Sequence, residues 1–214
     1  MIAVTFALPS ESSDFRRLLS HQGHEVAVLH TGVGEKSCRS RLGPLLDGKP
    51  FDLLISSGFA GGIDPSLGVG DLLLAENFSD PQLVAQARAL LVGQVARLVT
   101  ADRVVESAGE RQRLAQEHNA AAVDMETQWI ARACAERKLP MLSLRVISDT
   151  AAAPFPAPPA VLFDLERQRT DGTKVATHFF RHPFHLVRLI RFARQIATAR
   201  ENLGAALYQL IATL

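Results

Sequence analysis

The chain has 214 residues, enough for one domain that buries roughly 70% of the surface its unfolded form exposes. With 47% hydrophobic and 21% charged residues it has the composition of an ordinary globular protein, and its formal net charge of +1 argues against nucleic acid as a partner. No apolar stretch reaches the ~20 residues that span a bilayer, and the first residues lack a secretory signal pattern, so we expect a cytoplasmic protein.

Short apolar segments alternate with helical patterns along most of the chain. The predicted strands are Ile2–Leu8, Glu25–His30, Asp52–Ser57, Leu72–Ala75, Ala96–Thr100, Ala121–Val123 and Met141–Ile147. The predicted helices are Ser12–Ser20, Ser37–Leu46, Glu106–His118 and Glu126–Arg137. Continuous apolar strands between helices favour a sheet covered on both faces. The sequence therefore predicts an α/β fold, a three-layer sandwich around a mixed, mostly parallel sheet.

The C-terminal region begins after the proline-rich stretch Ala151–Pro159. We expect a main domain at residues 1–160 and a helical appendage at residues 161–214 packed on it, because ~55 residues scarcely hold a core alone. From Phe184 onward one helical stripe carries Leu186, Ile190, Ala193 and Ala197, with arginines elsewhere. This pattern predicts a helix packed on the sheet, and the alternative is a basic helix in weak contact with a membrane surface.

Metal and cofactor sites are not expected. Cys38 and Cys134 match no zinc or redox spacing, so both are interpreted as small apolar residues. His178, His182 and His185 have the spacing of ligands on a helix, but Pro183 interrupts them.

Three acidic residues follow predicted strands. Glu11 comes after the first strand, Glu126 after Ala121–Val123 and Asp149 after Met141–Ile147. The C-terminal edge of a parallel sheet is where ligands usually bind. Each residue alone is more typical of a helix cap. Together they suit the cleavage of a glycosidic bond, which needs a protonated leaving group and a stabilised sugar cation.

Ordered motifs surround these residues. In chain order they are Thr31-Gly32-Val33-Gly34, Gly58-Phe59-Ala60-Gly61-Gly62, Val69-Gly70-Asp71, Val123-Asp124-Met125-Glu126 and Arg145-Val146-Ile147-Ser148-Asp149. The set resembles the signatures of the methylthioadenosine/S-adenosylhomocysteine nucleosidases, within the nucleoside phosphorylase superfamily. The resemblance implies a nucleoside phosphorylase-like α/β fold. It also implies cleavage of the N-glycosidic bond of a 5′-modified, adenine-type purine nucleoside, a small-molecule partner.

The resemblance further implies roles for the matched residues. Asp149 would hold or deliver the proton to N7 of the leaving purine, and Glu11 would orient the attacking water. Glu126 would bind the ribose 2′- and 3′-hydroxyls, and Met125 would pack against the sugar. The other substrate contacts would come from Ser148, Gly61, Phe59 and Val104.

The nucleophile is open between water and phosphate. Phosphorylases of the superfamily hold phosphate with arginines in two loops, where this chain has Leu8-Pro9-Ser10-Glu11 and Ser56. Without arginine a phosphate dianion relies on backbone and hydroxyl donors, a poorer arrangement. We predict water, bound near a site at Gly32, Gly34, Ser56 and Ser57.

Two departures from the family bear on substrate and assembly. Adenosine-specific members stack a phenylalanine on the purine where this chain has Val104. The segment Glu76–Val95 is shorter than the family segment that builds the dimer interface and one wall of the pocket. Purine stacking and a homo-oligomer therefore both stay open.

The C-terminal region carries a second resemblance. From Pro158 through Arg169-Thr170-Asp171-Gly172 and Arg181-His182-Pro183 it is similar to the hopanoid-associated nucleoside phosphorylases. This implies an alternative, phosphorolysis of a nucleoside with a large apolar 5′ tail, such as adenosylhopane. A third alternative is a non-catalytic nucleoside-binding protein, against which the joint presence of Glu11, Glu126 and Asp149 argues.

Overall fold

The computed structural model describes residues 1–20, 25–164, 168, 172–182 and 185–213. The strands are β1 (Ile2–Phe6), β2 (Val26–His30), β3 (Leu53–Gly62), β4 (Leu72–Ala75), β5 (Gln94–Ala96), β6 (Leu98–Thr100), β7 (Ala122–Asp124) and β8 (Met141–Asp149). The helices are α1 (Ser13–Leu19), α2 (Gly34–Asp47), α3 (Pro81–Leu90), α4 (Ala108–His118), α5 (Thr127–Glu136), α6 (Pro159–Leu162), α7 (Gly172–Arg181) and α8 (His185–Ile211).

All of these strands belong to one mixed sheet. The order is β2-β1-β3-β8-β4-β5, with β7 paired to the end of β3 and β6 paired to β7. The neighbours β1, β2, β3 and β8 run parallel, whereas β4 is antiparallel to β8 and β7 is antiparallel to β3. The predicted mixed, mostly parallel sheet is confirmed. The carboxyl ends of β1, β3 and β8 consequently meet at one edge of the sheet.

Helices cover both faces of the sheet. Successive strand residues point to opposite faces, so Ala3 packs with α2 and α5, whereas Val4 packs with α1, α3 and α8. Phe15 of α1 is fully buried on the same face of the sheet as Val4. The predicted three-layer sandwich is therefore confirmed.

The end of β8 contains a β-bulge. Ala60 pairs with Ile147, but Gly61 pairs with Asp149, so Ser148 is the extra residue of the bulged strand. A bulge redirects the side chains beside it, and bulges are common near active sites. It allows the adjacent residues Ser148 and Asp149 to face the same cavity, which regular alternation along a strand does not permit.

Two elements between β4 and β7 differ from the sequence-based expectation. The strand predicted at Ala96–Thr100 is divided at Arg97, because β5 pairs with β4 and β6 pairs with β7. The segment Glu76–Val95 contains the unpredicted helix α3, which Asp80 caps by accepting from the N–H groups of Gln82 and Leu83.

The packing stripe predicted for the C-terminal helix is wrong. Leu186 and Ile190 are each 48% exposed. The buried side chains of α8 lie in its second half and include Ala199, Leu203, Ala206, Leu207 and Leu210. The first turns of α8 carry the apolar stripe, whereas the helix joins the core further along.

Parts of the C-terminal motifs, Arg169–Asp171 and Pro183–Phe184, lie outside the described residues. Membrane-surface contact and the division into residues 1–160 and 161–214 stay predictions. Among the described residues, no helix combines the length and apolar character needed to cross a membrane.

Candidate active site

A cavity of about 740 Å³ lies where the ends of β1, β3, β7 and β8 converge. Every predicted catalytic and substrate-binding residue lines it, although these residues come from separate parts of the chain. They are Glu11, Phe59, Gly61, Val104, Met125, Glu126, Ser148 and Asp149. The structure thus brings the three predicted carboxylates to one site.

Glu11 occupies the loop after β1 and is 8% exposed. The backbone N–H groups of Ala7 and Leu8 donate to its Oε2 at 3.0 and 3.3 Å. Burial raises the pKa of Glu11 to about 7, although these N–H groups and the charge of Arg145 oppose the rise. Near neutral pH the carboxyl is poised between its two forms, which suits a group that accepts a proton from water.

Glu126 is the residue that precedes α5, also 8% exposed. Its Oε1 accepts a hydrogen bond of 2.8 Å from the N–H of Gly34. Burial, together with the neighbouring charge of Asp124, raises the pKa of Glu126 well above its usual range. Met125, which precedes Glu126 in the sequence, places an apolar side chain in the same cavity.

Asp149 ends β8 and is 2% exposed. Both of its carboxylate oxygens have partners within the protein. Ser148 donates to Oδ1 at 2.7 Å, and the guanidinium of Arg111 forms a buried ion pair with Oδ2. Arg111 also donates to the carbonyl of Gly62 at 2.9 Å. The carboxylate is therefore held in one orientation at the cavity wall.

A second buried ion pair lies behind Glu11. Arg145 donates through Nε to Asp124 at 3.0 Å, and through Nη2 to Ser56 and Thr127 at 2.9 and 2.6 Å. Its Nη1 is buried and has no hydrogen-bond partner among the described residues.

Gly58 lies between Arg145 and Glu11. A Cβ at this position would be 3.3 Å from Glu11 Oε2 and 3.5 Å from Arg145 Nη1. Its φ of +151° is also one that residues with a side chain rarely adopt. A side chain at this position would therefore press on the Glu11 carboxyl, and the glycine leaves Glu11 and Arg145 Nη1 without that contact.

The residues predicted for the phosphate or water site do not line the cavity. The N–H of Gly32 donates to Ala7 O at 3.0 Å, and that of Gly34 donates to Glu126. The hydroxyl of Ser56 accepts from Arg145, and Ser57 is 3% exposed. Between the two glycines, the N–H of Val33 donates to Gln168 at 2.6 Å.

A group of apolar side chains also lines the cavity, next to the charged residue Asp164. It comes from the proline-rich stretch, from α6 and the residue after it, and from α8. Its large side chains are Phe155, Leu162, Phe163, Phe192 and Ile196. The rings of Phe155 and Phe192 pack with centroids 5.4 Å apart and an interplanar angle of 59°.

Sequence reasoning missed several of these groups. Arg111 stood in a predicted helix with no local signal, because its partners are 38 and 49 residues away along the chain. Arg145 was part of a matched motif, and its charge was a signal that it needed a buried partner. The apolar wall depends on how α8 packs. No group of three or more His, Cys, Asp or Glu among the described residues is arranged to hold a metal ion.

Comparisons with known proteins identify related sequences and folds. The sequence profile of the phosphorylase superfamily matches residues 76–181. The 5′-methylthioadenosine/S-adenosylhomocysteine nucleosidase of Staphylococcus epidermidis is 26% identical over 164 residues, which cover 62% of this chain and 71% of that protein.

Solved structures share the fold over the full chain. The futalosine hydrolase of Helicobacter pylori has a TM-score of 0.73 at 18% identity and covers 100% of this chain and 97% of its own. The H. pylori 5′-methylthioadenosine/S-adenosylhomocysteine nucleosidase with butyl-thio-DADMe-Immucillin-A has a TM-score of 0.73 at 16% identity, covering 100% and 98%. The profile match, the sequence relatives and the shared fold together support the phosphorylase superfamily as the family of this chain.

Proposed function

We propose that the protein is a nucleosidase that uses water to break the N-glycosidic bond of a 5′-modified purine nucleoside. One observation carries the proposal: the carboxylates of Glu11, Glu126 and Asp149 line a single cavity. Cleavage needs a proton at the leaving base, a hold on the cationic sugar and an oriented nucleophile. Three carboxylates supply these functions, and the names of the S. epidermidis and H. pylori relatives support the same chemistry.

Each carboxylate has one role in the proposed mechanism. Asp149, fixed on its two sides, accepts a hydrogen bond from N7–H of the departing purine. N7 takes this proton from solvent water as the glycosidic bond breaks, and Glu11 returns to solvent the proton that it accepts, so the protons balance. Glu126 binds the ribose hydroxyls, which both donate and accept and so match either form of its carboxyl. Glu11 accepts a proton from the water that attacks the anomeric carbon. The proton on N7 lets the base leave as a neutral molecule.

Water is favoured over phosphate by the charges around the cavity. The arginines that line it within the described chain, Arg103 and Arg111, are paired with Glu110 and Asp149. The N–H groups of residues 32–34 are all engaged within the protein. A phosphate dianion placed near Glu11 would meet a like charge, whereas water accepts and donates hydrogen bonds there.

The test of the nucleophile is base release in phosphate-free buffer. We expect the purified protein to release free purine at nearly its full rate, together with a reducing ribose derivative. Added phosphate should change the rate little, because the arginines that line the described cavity are already paired. Chromatography of both products after incubation with a nucleoside panel measures this, with Asp149→Asn as the inactive control.

Release that depends on phosphate and yields a ribose 1-phosphate ester would replace hydrolysis by phosphorolysis. Absence of base release from every nucleoside, with binding retained, would favour the non-catalytic alternative.

The 5′ substituent that we propose is apolar. The phenylalanines at positions 155, 163 and 192, with Leu162 and Ile196, offer an apolar surface to the end of the nucleoside, and Asp164 is the charged residue beside them. Against these five side chains a polar amino-acid tail would lose hydration without gaining hydrogen bonds. A long apolar group, as the hopanoid resemblance implies, would gain from burial.

We expect catalytic efficiency, kcat/KM, to rise with the length of the alkyl chain in a series of alkylthio-substituted adenosines, by up to about 4-fold per buried methylene. Phe192→Ala should flatten this rise, because it removes part of the wall. Phe180→Ala is the matched control, since this side chain on α7 is 89% exposed. Equal efficiency with alkyl and amino-acid substituents would contradict the apolar assignment.

A further inference from the structure

The ion pair between Arg111 and Asp149 is buried in the wall of the site. Arg111 belongs to α4 and its side chain is only 3% exposed. It reaches two strands at once, donating to the Gly62 carbonyl at the end of β3 and pairing with Asp149 at the end of β8. Its Nε is buried and has no hydrogen-bond partner within the described part of the chain.

Gly61, which has no side chain, leaves space for the ion pair between Arg111 and Asp149. A Cβ on Gly61 would be 3.2 Å from Arg111 Nη1 and 3.3 Å from Asp149 Oδ2. Those contacts are tighter than ordinary van der Waals separation, so any side chain at position 61 would press on both partners. The glycine thus keeps the guanidinium and the carboxylate in contact.

Burial makes the pair sensitive to the loss of either charge. A buried arginine without its partner is left with an uncompensated charge, and the same holds for the carboxylate. Ser148 holds the other oxygen of Asp149, and the bulge in β8 directs both residues to the cavity. Together, these contacts leave the carboxylate little freedom to rotate.

We propose that Arg111 is a positioning residue that fixes the Asp149 carboxylate toward the leaving base. The inference rests on the proposed function, since it concerns the step in which the base departs. A misplacement of a reacting group by about 1 Å reduces rates by ~10²-fold. Arg111 acts through Asp149 and not through contact with the sugar.

The test compares Arg111→Gln, Arg111→Lys and Gly61→Ala with wild type, measuring kcat, KM and thermal unfolding. We expect Arg111→Gln to lower kcat by ~10²-fold with little change in KM. Lysine keeps the charge and should recover most of this loss. Gly61→Ala changes no charge and should lower kcat by displacing the pair. Arg113→Gln is the control, on the same helix with an exposed side chain.

A double variant separates positioning from stability. Arg111→Gln combined with Asp149→Asn removes both charges, so no buried charge is left unpaired. We expect its kcat to equal that of Asp149→Asn alone, because Arg111 then has nothing to position. A further drop in kcat in the double variant would overturn the inference.

Other outcomes are equally decisive. If Arg111→Gln lowers the unfolding temperature but leaves kcat unchanged, the arginine only ties α4 to the sheet and the inference is wrong. If Arg111→Gln does not fold, Arg111→Lys and Gly61→Ala decide by their kcat. If wild type releases no base from any nucleoside, the proposed function fails and the inference fails with it.

Discussion

Asp149→Asn is expected to reduce base release by ~10²–10⁴-fold while nucleoside binding survives. The proton at the departing base is needed in the transition state and hardly at all in the ground state, so its loss appears in kcat. Asparagine still offers an oxygen to Arg111 but no negative charge. Single-turnover base release and calorimetric binding of a nucleoside analogue measure the two effects.

The same variant is expected to be less stable, because Arg111 loses its buried counter-charge. Breaking such a pair typically costs about 3–5 kcal/mol. Rates should therefore be measured well below the unfolding temperature of the variant. Asp52→Asn is the matched control, because the Asp52 side chain is 84% exposed and far from the site in the fold. Base release at the wild-type rate by Asp149→Asn would remove Asp149 from the mechanism.

Glu11→Gln is expected to slow hydrolysis by ~10²–10⁴-fold and, at alkaline pH, to stabilise the fold. The pKa of this carboxyl rises from 4.5 to about 7 on folding. The native state thus binds the proton more tightly than the unfolded state. Stability falls as pH increases from about 4.5 to about 7, and the full penalty of about 3 kcal/mol persists above that range.

Glutamine carries no such penalty, so the stability of the variant relative to wild type should increase from about pH 5 to about pH 8. Urea unfolding at both pH values measures the gain. The wild-type rate should also rise with pH through the pKa of about 7, because only the ionised carboxylate accepts a proton. Glu35→Gln, on the exposed surface of α2, is the control. A stability difference that is the same at both pH values would contradict the burial of Glu11.

The sequence predicted the sheet and the carboxylates for the same reason. Apolar runs mark buried strands, and the residues after them must lie at the strand ends. Glu11 and Asp149 could therefore be placed without knowing any contact. The bulge at Ser148 could not, because it exists only in the pairing of β8 with β3.

Local sequence patterns could not predict the contacts between distant parts of the chain. Arg111 meets Asp149 only after α4 docks on the sheet, and an arginine in a helix is ordinarily exposed. The packing of α8 was misjudged because an apolar stripe does not reveal which of its turns touch the core. The place of Phe192 in the cavity wall consequently could not be predicted.

The turn at residues 32–34 restricts how this protein could evolve toward another nucleophile. Its three consecutive amides are committed to Ala7, Gln168 and Glu126, which lie in three separate regions of the chain. An anion could bind at this turn only if the three amides broke their present hydrogen bonds. Each acceptor that then stayed buried without a donor would destabilise the fold by about 1–3 kcal/mol. Every early step on that path lowers stability before any new ligand binds. Substitutions that free these amides are therefore expected to lower stability as well as to alter the site.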